Sequence, residues 1–453
     1  KLLFSVLLMN LFNIFKKISR QILIGIIFLS IFLLIYKNTH DISFSSSLEN
    51  IAYRWLLPLG LILIFAQSLF LNDDHKVIFL INFMAVIIAL YSVEFILLNR
   101  KPDHIHRAAA RRLNIPFDSR SLEEVINDMK LEGIEVYPFS NGKYFEEDNI
   151  KLLSLAGISN TQIIHCNESG EWILYKSDEF GFNNPSGSFK NNDIQIVGIG
   201  DSFTSGYCLP DSSSFISLIR KEYPKTINLG VTATGPLHQL AILKEYATIL
   251  KPKVILWNFF EGNDLQELNI ESSDIILKNY LKKGFDQNLI QKQLYIDKSL
   301  KENLNKSVIK TKEKQINFKN FIFLDALRTT LGLYKENNIH QNFKLDLLES
   351  ILTMAKNVAE DWDGKLIFVY IPSIERFMGF KTRYQVNQSR DKILEIVKKL
   401  NIPSIDIFKS ISSHRDPLSL YNSRIGYHFN KKGHELLSET ILDSLKYTIH
   451  LNN

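Results

Sequence analysis

The sequence predicts an α/β protein, a three-layer doubly wound fold with helices on both faces of a parallel sheet, preceded by transmembrane helices. Long apolar runs fill the N-terminal part of the chain. From about residue 190 onward, short apolar segments alternate with helical patterns, as in parallel α/β sheets. Serine, asparagine and histidine follow these segments, where such sheets bind their ligands. The 453 residues exceed one ordinary domain.

The composition excludes several classes of protein. Apolar residues make up 45% and charged residues 22%, which suits a buried core and argues against disorder. Lys and Arg exceed Asp and Glu by only 53 to 48, and no basic stripe occurs, so no nucleic-acid partner is expected. Two cysteines exclude a multi-Cys zinc site. Without a phosphate loop or a dinucleotide fingerprint, no cofactor and no metal are expected.

Residues 1–98 are predicted to be a membrane anchor with spans at about 21–37, 53–71 and 77–98. The alternative, three buried helices of a soluble domain, suits their length and low charge less well. The third run carries Glu94, one turn from its end, where a side chain more often reaches the interface than serves a function within the membrane. The chain opens with Lys1, and Met9 is the more natural start.

Charges beside the first span predict the orientation. Lys16, Lys17 and Arg20 favour a cytoplasmic N-terminus, and three spans then place the remainder outside the cytoplasm. The basic residues that follow the third span oppose this orientation. We expect an integral membrane protein whose main domain is extracytoplasmic, in the periplasm or on the outer face of the inner membrane.

Residues 99–190 are interpreted as a linker and accessory subdomain. HIHRAAARRL predicts one helix. A second helix has Ser119 and Ser121 as candidate N-caps, acidic residues in its first turn and Gly133 as its stop. Short strands and turns are expected over 150–190, ending in DEFGFNNPSG.

Residues 191–447 carry the predicted sheet. Its strands are expected at Ile194–Ile199, Thr226–Leu229, Val254–Phe260, Leu366–Ile371 and Ile402–Ile407. Helices are expected near 212–222, 238–250, 346–360, 388–400 and 433–447. Residues 265–345 form a Lys-rich, mostly helical insertion, interpreted as a solvated helical excursion or as a lid over the site.

The first strand runs directly into Gly-Asp-Ser-Phe-Thr-Ser-Gly, which contains Ser202. A serine at a strand-to-helix turn presents its hydroxyl beside backbone N–H groups, as a nucleophilic serine requires. The tripeptide by itself is a weak signal, because Gly-Asp-Ser is a common turn. Its spacing also differs from the G-x-S-x-G elbow of α/β-hydrolases.

Four sequence blocks occur in order, each expected at a strand end or before the last helix. They are GDSFTSG with Ser202, NLGVTATGP with Gly230, EGNDL with Asn263, and GYHFNKKGHELL with His428. Over about residues 191–447 the chain thus resembles the GDSL/SGNH hydrolase superfamily, which implies a flavodoxin-like sheet. DEFGFN (178–183) is similar to the lead-in of membrane-linked members of this superfamily.

The resemblance implies an acyl-enzyme mechanism on ester bonds. Ser202 would attack the carbonyl and His428 would act as the general base. The N–H groups of Ser202 and Gly230 and the side-chain amide of Asn263 would form the oxyanion hole.

The chain departs from the family beside the histidine. The superfamily usually has an Asp two or three residues earlier, where this chain has Gly426 and Ile425. Either a backbone carbonyl orients the ring, or an acid arrives from elsewhere. The candidate acids are Asp416, Asp406 and Glu261. A second histidine, His434, is expected in the first turn of the last helix, packed or facing solvent.

Cys166 and Cys208 allow two interpretations. In an oxidising compartment a disulfide between them would pin the accessory subdomain beside the active site. The alternative is two unpaired buried thiols.

With the membrane anchor, the resemblance favours a membrane-anchored serine esterase. It would remove O-acyl groups, such as acetyl, from an acylated carbohydrate of the cell envelope or an exported polysaccharide. An O-acyltransferase would use the same acyl-enzyme. Trp257, Phe259 and Phe260 suggest a lipid esterase, although such residues are more often the core of a buried strand. The missing Asp motivates a fourth hypothesis, a non-catalytic binding or assembly protein.

Overall fold

The computed structural model describes residues 2–40, 57–99, 104–147, 149–310, 318–331, 343–378 and 380–448. The chain divides into two compact units. The apolar unit comprises Lys1–Arg100 and Gln315–Glu336, and the α/β unit comprises Lys101–Lys314 and Asn337–Asn453. The predicted accessory segment and the predicted sheet therefore lie in one unit.

The apolar unit begins with three helices, α1 (Leu2–His40), α2 (Leu57–Ser68) and α3 (Asp73–Leu98). They pack together through the buried side chains of Leu23, Phe65 and Leu80. Among the described residues, α3 alone is long and apolar enough to cross a membrane, and its 26 residues extend about 39 Å. The helices lie where the three spans were predicted, except that 51–56 is outside the described residues. Their crossing of a membrane stays a prediction.

The α/β unit opens with two helices and two small sheets. The helices are α4 (His104–Leu113) and α5 (Leu122–Leu131), the latter begun by a capping box between Ser121 and Glu124. The strands are β1 (Val136–Pro138), β2 (Tyr144–Glu147), β3 (Ile150–Leu153), β4 (Gln162–Ile164) and β5 (Leu174–Lys176). β2 pairs with β3, and β1, β4 and β5 form a second sheet.

The main sheet has five parallel strands. They are β6 (Ile196–Gly200), β7 (Thr226–Gly230), β8 (Val254–Phe260), β9 (Lys365–Ile371) and β10 (Ser404–Asp406). The order is β10-β9-β8-β6-β7, so the chain moves outward from β6 in one direction and then in the other. The topological switch point, where such folds bind ligands, lies at the carboxyl end of β6. The predicted doubly wound sheet is confirmed.

Helices cover both faces of this sheet. In chain order they are α6 (Ser202–Ser205), α7 (Phe215–Glu222), α8 (Pro236–Ile242, continued by a π-helix over Leu243–Ala247), α9 (Asp264–Glu271), α10 (Ile275–Asn279), α11 (Gln293–Lys310), α12 (Phe318–Ile322), α13 (Asp325–Thr330), α14 (Leu345–Glu360), α15 (Glu375–Met378), α16 (Phe380–Lys399), α17 (Ile407–Ser412) and α18 (Lys431–Thr448). One core cluster includes Trp257 and Ile351, and the other includes Phe215 and Leu437. α12 and α13 belong to the apolar unit.

The insertion over 265–345 is not a solvated excursion. Tyr280, Leu289, Ile296 and Leu300 are fully buried in the α/β core. Glu245 of the π-helix holds this region by accepting hydrogen bonds from the Tyr280 hydroxyl (2.6 Å) and the Leu289 N–H (2.9 Å). The first half of the insertion is therefore a fixed part of the core.

Candidate active site

Ser202 begins α6 immediately after β6, at the switch point of the sheet. Asp201 caps the helix by accepting a hydrogen bond from the Phe203 N–H at 3.0 Å. A side chain at Gly200 would lie 2.7 Å from the backbone oxygen of Asn258, so only glycine fits at the end of the strand. The tight turn fixes the Ser202 side chain, which is 5% exposed, at the carboxyl edge of the sheet.

His428 lies in the loop before α18 and faces this serine. Its Nε2 is 2.9 Å from the Ser202 Oγ, hydrogen-bond distance for a nucleophile and its base. Phe203 and Tyr207 lie beside the imidazole, with ring centroids 5.4 and 4.9 Å away. The side chain of His428 is 15% exposed, so the ring is confined but reachable from solvent.

Glu168 supplies the acid on the other side of the imidazole. Its two carboxylate oxygens lie 3.2 and 3.1 Å from the His428 Nδ1. Although burial alone would raise the pKa of Glu168, the hydrogen bond and charge of His428 hold it below its ordinary value. The carboxylate therefore stays ionised and fixes the tautomer with the proton on Nδ1, leaving Nε2 to accept from the serine.

A disulfide joins Cys166 to Cys208 beside this acid, with the two Cα atoms 5.4 Å apart. Cys166 precedes Glu168 by two residues, and Cys208 follows α6. A carboxylate oxygen of Glu168, the Sγ of Cys208 and a ring nitrogen of His428 lie within 4.8 Å of one another. Because this sulfur is bonded to Cys166, it is not a thiolate available to a metal. The bond instead ties the Glu168 loop to the turn that carries Ser202.

Glu261, one of the three acids considered for orienting the histidine, has other partners. It forms a buried ion pair with Arg376, whose Nε is 2.6 Å from its Oε2. The same carboxylate accepts hydrogen bonds from the Tyr370 hydroxyl and from the Ser373 N–H. Its assignment as the orienting acid is wrong, because a buried carboxylate compensates the charge of Arg376 here.

The other two candidate acids also point elsewhere. Asp406 begins α17 and pairs with Arg390. Asp416 pairs with Arg424 at 2.7 Å on the protein surface. Neither has a recorded contact with His428, and the structure replaces both with Glu168. They were chosen for closeness in sequence, which does not decide which carboxylate reaches the ring.

The three predicted oxyanion donors differ in their surroundings. Ser202 and Asn263 follow β6 and β8, and the Asn263 side chain caps no helix. The Gly230 N–H at the end of β7 donates instead to the Asn228 Oδ1 at 2.8 Å. A Cβ on Gly230 would lie 2.3 Å from the Ser205 backbone nitrogen, so this glycine lets β7 approach α6. The oxyanion role of all three stays a prediction.

The segment around DEFGFN holds the strand ends together. Asp178 and the next turn bind Asn184, whose side chain pairs with both backbone groups of Asn228 at 2.8 Å. Asn183 donates to the Ser205 carbonyl at 3.0 Å. Burial raises the pKa of Asp178 to about 7. The lead-in thus fixes β7 and α6 relative to each other and does not enter the site.

Two further buried groups lie near the Ser202–His428 pair. His434, in the first turn of α18, accepts a hydrogen bond from the Phe215 N–H at its Nδ1 (3.1 Å). Burial lowers its pKa to about 3, so it is a neutral packing residue, as expected. Burial also raises the pKa of Asp201 to about 6, and its Oδ2 lies 3.2 Å from the Ser202 hydroxyl.

Sequence reasoning missed Glu168 and Tyr207. Glu168 lies in HCNESGEW, far from every recognised block, and its one local signal was its closeness to Cys166. Tyr207 precedes the second cysteine and contacts both His428 and His165. Burial, with a contribution from the charge of Glu168, raises the pKa of Tyr207 to about 12. It is therefore a neutral phenol on the ring of the base.

A serine, a histidine and a carboxylate joined by hydrogen bonds at the switch point define a nucleophilic site of the serine-hydrolase kind. The sheet and the order of the four blocks are those of the GDSL/SGNH hydrolase fold. Comparisons with protein-family models and with curated proteins gave no match.

Solved structures of similar fold include three esterase-type proteins. A lipase/acylhydrolase from Enterococcus faecalis is 15% identical, with 57% of this chain and 98% of that chain covered and a TM-score of 0.34. A GDSL-like lipase from Bacteroides thetaiotaomicron is 11% identical, with 56% and 89% covered and a TM-score of 0.32. An acetyl xylan esterase is 12% identical, with 56% and 100% covered and a TM-score of 0.31. At these values the proposed function rests on the site itself.

Proposed function

We propose that this protein is a membrane-anchored serine esterase that hydrolyses O-acyl esters. The observation that carries the proposal is the line of hydrogen bonds from Glu168 through His428 to Ser202. Nucleophile, base and orienting acid come from three distant parts of the chain. A surface cluster does not require their common alignment, whereas acyl transfer does.

In the acylation half-reaction, the Ser202 Oγ attacks the ester carbonyl carbon while its proton passes to the His428 Nε2. The charge of Glu168 at Nδ1 stabilises the imidazolium that forms. The carbonyl oxygen becomes an oxyanion, for which Asn263 and the Ser202 N–H are the proposed donors; each such donor contributes about 2.7–4 kcal/mol in comparable enzymes. The imidazolium then protonates the leaving alcohol, and the acyl group remains on Ser202.

In the deacylation half-reaction, water takes the position of the departed alcohol. His428 removes a proton from the water, whose oxygen attacks the acyl carbon. Collapse of the second tetrahedral intermediate returns the proton to the Ser202 Oγ and releases the carboxylic acid. If a sugar hydroxyl replaced water here, the same residues would perform the O-acyltransferase reaction.

The alternatives from the sequence lose their motivation. The non-catalytic hypothesis rested on the missing Asp before His428, whose place Glu168 takes. The lipid-esterase hypothesis rested on aromatics of β8, yet Trp257 and Phe259 are fully buried and Phe260 is 5% exposed. They belong to the core and do not line a lipid-binding surface.

The proposed location is extracytoplasmic, because a disulfide persists in an oxidising compartment. The proposed substrate is an acylated carbohydrate of the cell envelope, with acetyl as the acyl group. This choice follows the sequence resemblance together with the anchor. The mechanism itself requires only an ester.

The test is hydrolysis of an aryl acetate by the full chain in detergent. We expect Ser202→Ala to lower kcat by at least about 10³-fold and to abolish labelling by a serine-directed phosphonate. Ser412→Ala, at an exposed serine of α17, is the matched control and should retain full activity. Absence of both turnover and labelling in the parent protein would contradict the proposal. Adding oligosaccharide in competition with water then separates the esterase from the transferase.

A further inference from the structure

Glu94 of α3 is fully buried in the apolar unit, although the sequence around it is apolar. A buried carboxylate is costly unless hydrogen bonds compensate it. Glu94 accepts two, from the backbone N–H groups of Ala326 (3.0 Å) and Leu327 (2.7 Å) in the first turn of α13. The partner of this carboxylate is thus a segment from the middle of the insertion.

The segment Phe318–Leu331, which contains α12 and α13, also contacts α3 one turn earlier. The Tyr91 hydroxyl donates to the Ile322 carbonyl at 3.0 Å, and the rings of Tyr91 and Phe321 are 5.2 Å apart. The chain therefore leaves the α/β unit after α11, packs along the last two turns of α3 and later returns to the sheet as α14 and β9.

Large apolar side chains of this segment remain exposed within the apolar unit. Phe318 is 73% exposed, Phe323 56% and Leu331 61%. Phe95 and Ile96, which flank Glu94 on α3, are 53% and 59% exposed. The apolar surface of α3 thus continues onto the segment at the same level, and exposed apolar surface of this density marks a contact with another apolar phase.

The charges that precede the segment suit a membrane surface. Six lysines and two glutamates occur between residues 301 and 319. Basic residues beside an apolar, aromatic segment are attracted by anionic lipid headgroups, while the aromatic rings favour the headgroup level of the bilayer. A second protein copy would not require this flank of positive charge.

We propose that Phe318–Leu331 is a membrane-inserted segment of the insertion that lies in the lipid interface beside the end of α3 and is held there by Glu94. Its partner is the lipid bilayer itself. Because Glu94 is one turn from the end of α3, the segment lies at the shallow depth of interfacial helices. The α/β unit is then tethered to the membrane by the insertion as well as by α3. This inference rests on the proposed membrane anchor.

The test uses the full chain in vesicles of phosphatidylcholine and phosphatidylglycerol, with a thiol-reactive fluorophore at Phe323→Cys. The native cysteines do not react, because they form a buried disulfide. Phe95→Cys on α3 reports the span, and Leu131→Cys, 88% exposed in the α/β unit, reports water. We expect nitroxide lipids to quench the label at 323 at least about half as strongly as that at 95, and iodide to quench it at least about threefold less than that at 131.

The outcomes separate the inference from the anchor. Lipid quenching at 95 with iodide quenching at 323 would overturn the inference and leave the anchor standing, whereas iodide quenching at both positions would remove both. Protection of position 323 from lipid and water alike would indicate a protein contact and overturn the lipid assignment. In Glu94→Leu, the label at 323 should approach the iodide quenching of position 131 while that at 95 stays in lipid. Unchanged lipid quenching at 323 in that variant would refute the role of Glu94.

Discussion

Replacing Glu168 with glutamine keeps the size of the side chain and removes its charge from the Nδ1 of His428. The amide can also present its NH₂ group to Nδ1, which favours the tautomer with the proton on Nε2. In that tautomer the imidazole cannot accept the Ser202 proton. The substitution therefore removes both the orientation and the charge stabilisation of the general base.

The expected loss follows from the geometry. At the 3.1 Å separation of Glu168 and Nδ1, the attraction between carboxylate and imidazolium is about 5 kcal/mol with an effective dielectric constant of 20. This corresponds to about four orders of magnitude in rate. The Glu168 side chain is 19% exposed, and solvent reduces the effect. We expect kcat to fall by about 10³-fold to 10⁴-fold, similar to the loss when an amide replaces the acid of a Ser-His-Asp triad.

The assay is aryl acetate hydrolysis over a range of pH, with kcat and KM determined separately. KM should change little, because Glu168 contacts the base and not the substrate in this mechanism. Asp416→Asn is the control, since it removes an exposed acid suggested by the sequence and should change kcat less than about twofold. If Glu168→Gln kept kcat within about fivefold of the parent while Ser202→Ala was inactive, the assignment of Glu168 would be refuted.

Three further predictions concern the support of the site. Replacing Cys166 and Cys208 with serine opens a link across 42 residues, which should lower the free energy of unfolding by about 4 kcal/mol and lower kcat with it; equal activity and an equal melting temperature would contradict the clamp. Gly230→Ala places a methyl group against the backbone after Ser202, so we expect a loss of about 1–3 kcal/mol by denaturant titration and at least about tenfold in kcat; an unchanged variant would disprove the close approach. The unfolded state protonates His434 below about pH 6.5, while burial lowers its folded-state pKa to about 3. The stability that this neutral histidine contributes is therefore full above pH 6.5 and lost on acidification: relative to His434→Gln, the parent should lose about 1.4 kcal/mol of unfolding free energy per pH unit between about pH 6 and 4, and parallel curves would refute this.

Local patterns were sufficient to predict the sheet and two members of the site. β8 was predicted with the bounds that the structure has, because a continuous apolar run specifies a strand buried on both faces. Ser202 and His428 were recognisable since each lies in a block next to a strand or helix. The packed insertion was misread as a solvated excursion, because its Lys-rich composition conceals the few apolar residues that enter the core.

The sequence by itself determined the order of strands and helices, the nucleophile, the base and the apolar helices at the N-terminus, since each depends on neighbours in the chain. The tertiary structure alone decided which carboxylate reaches His428 and which segment covers Glu94. Glu168 is 260 residues from the histidine that it orients, and Leu327 is 233 residues from Glu94. Contacts at such separations depend on packing of the whole fold, and no spacing in the sequence encodes them.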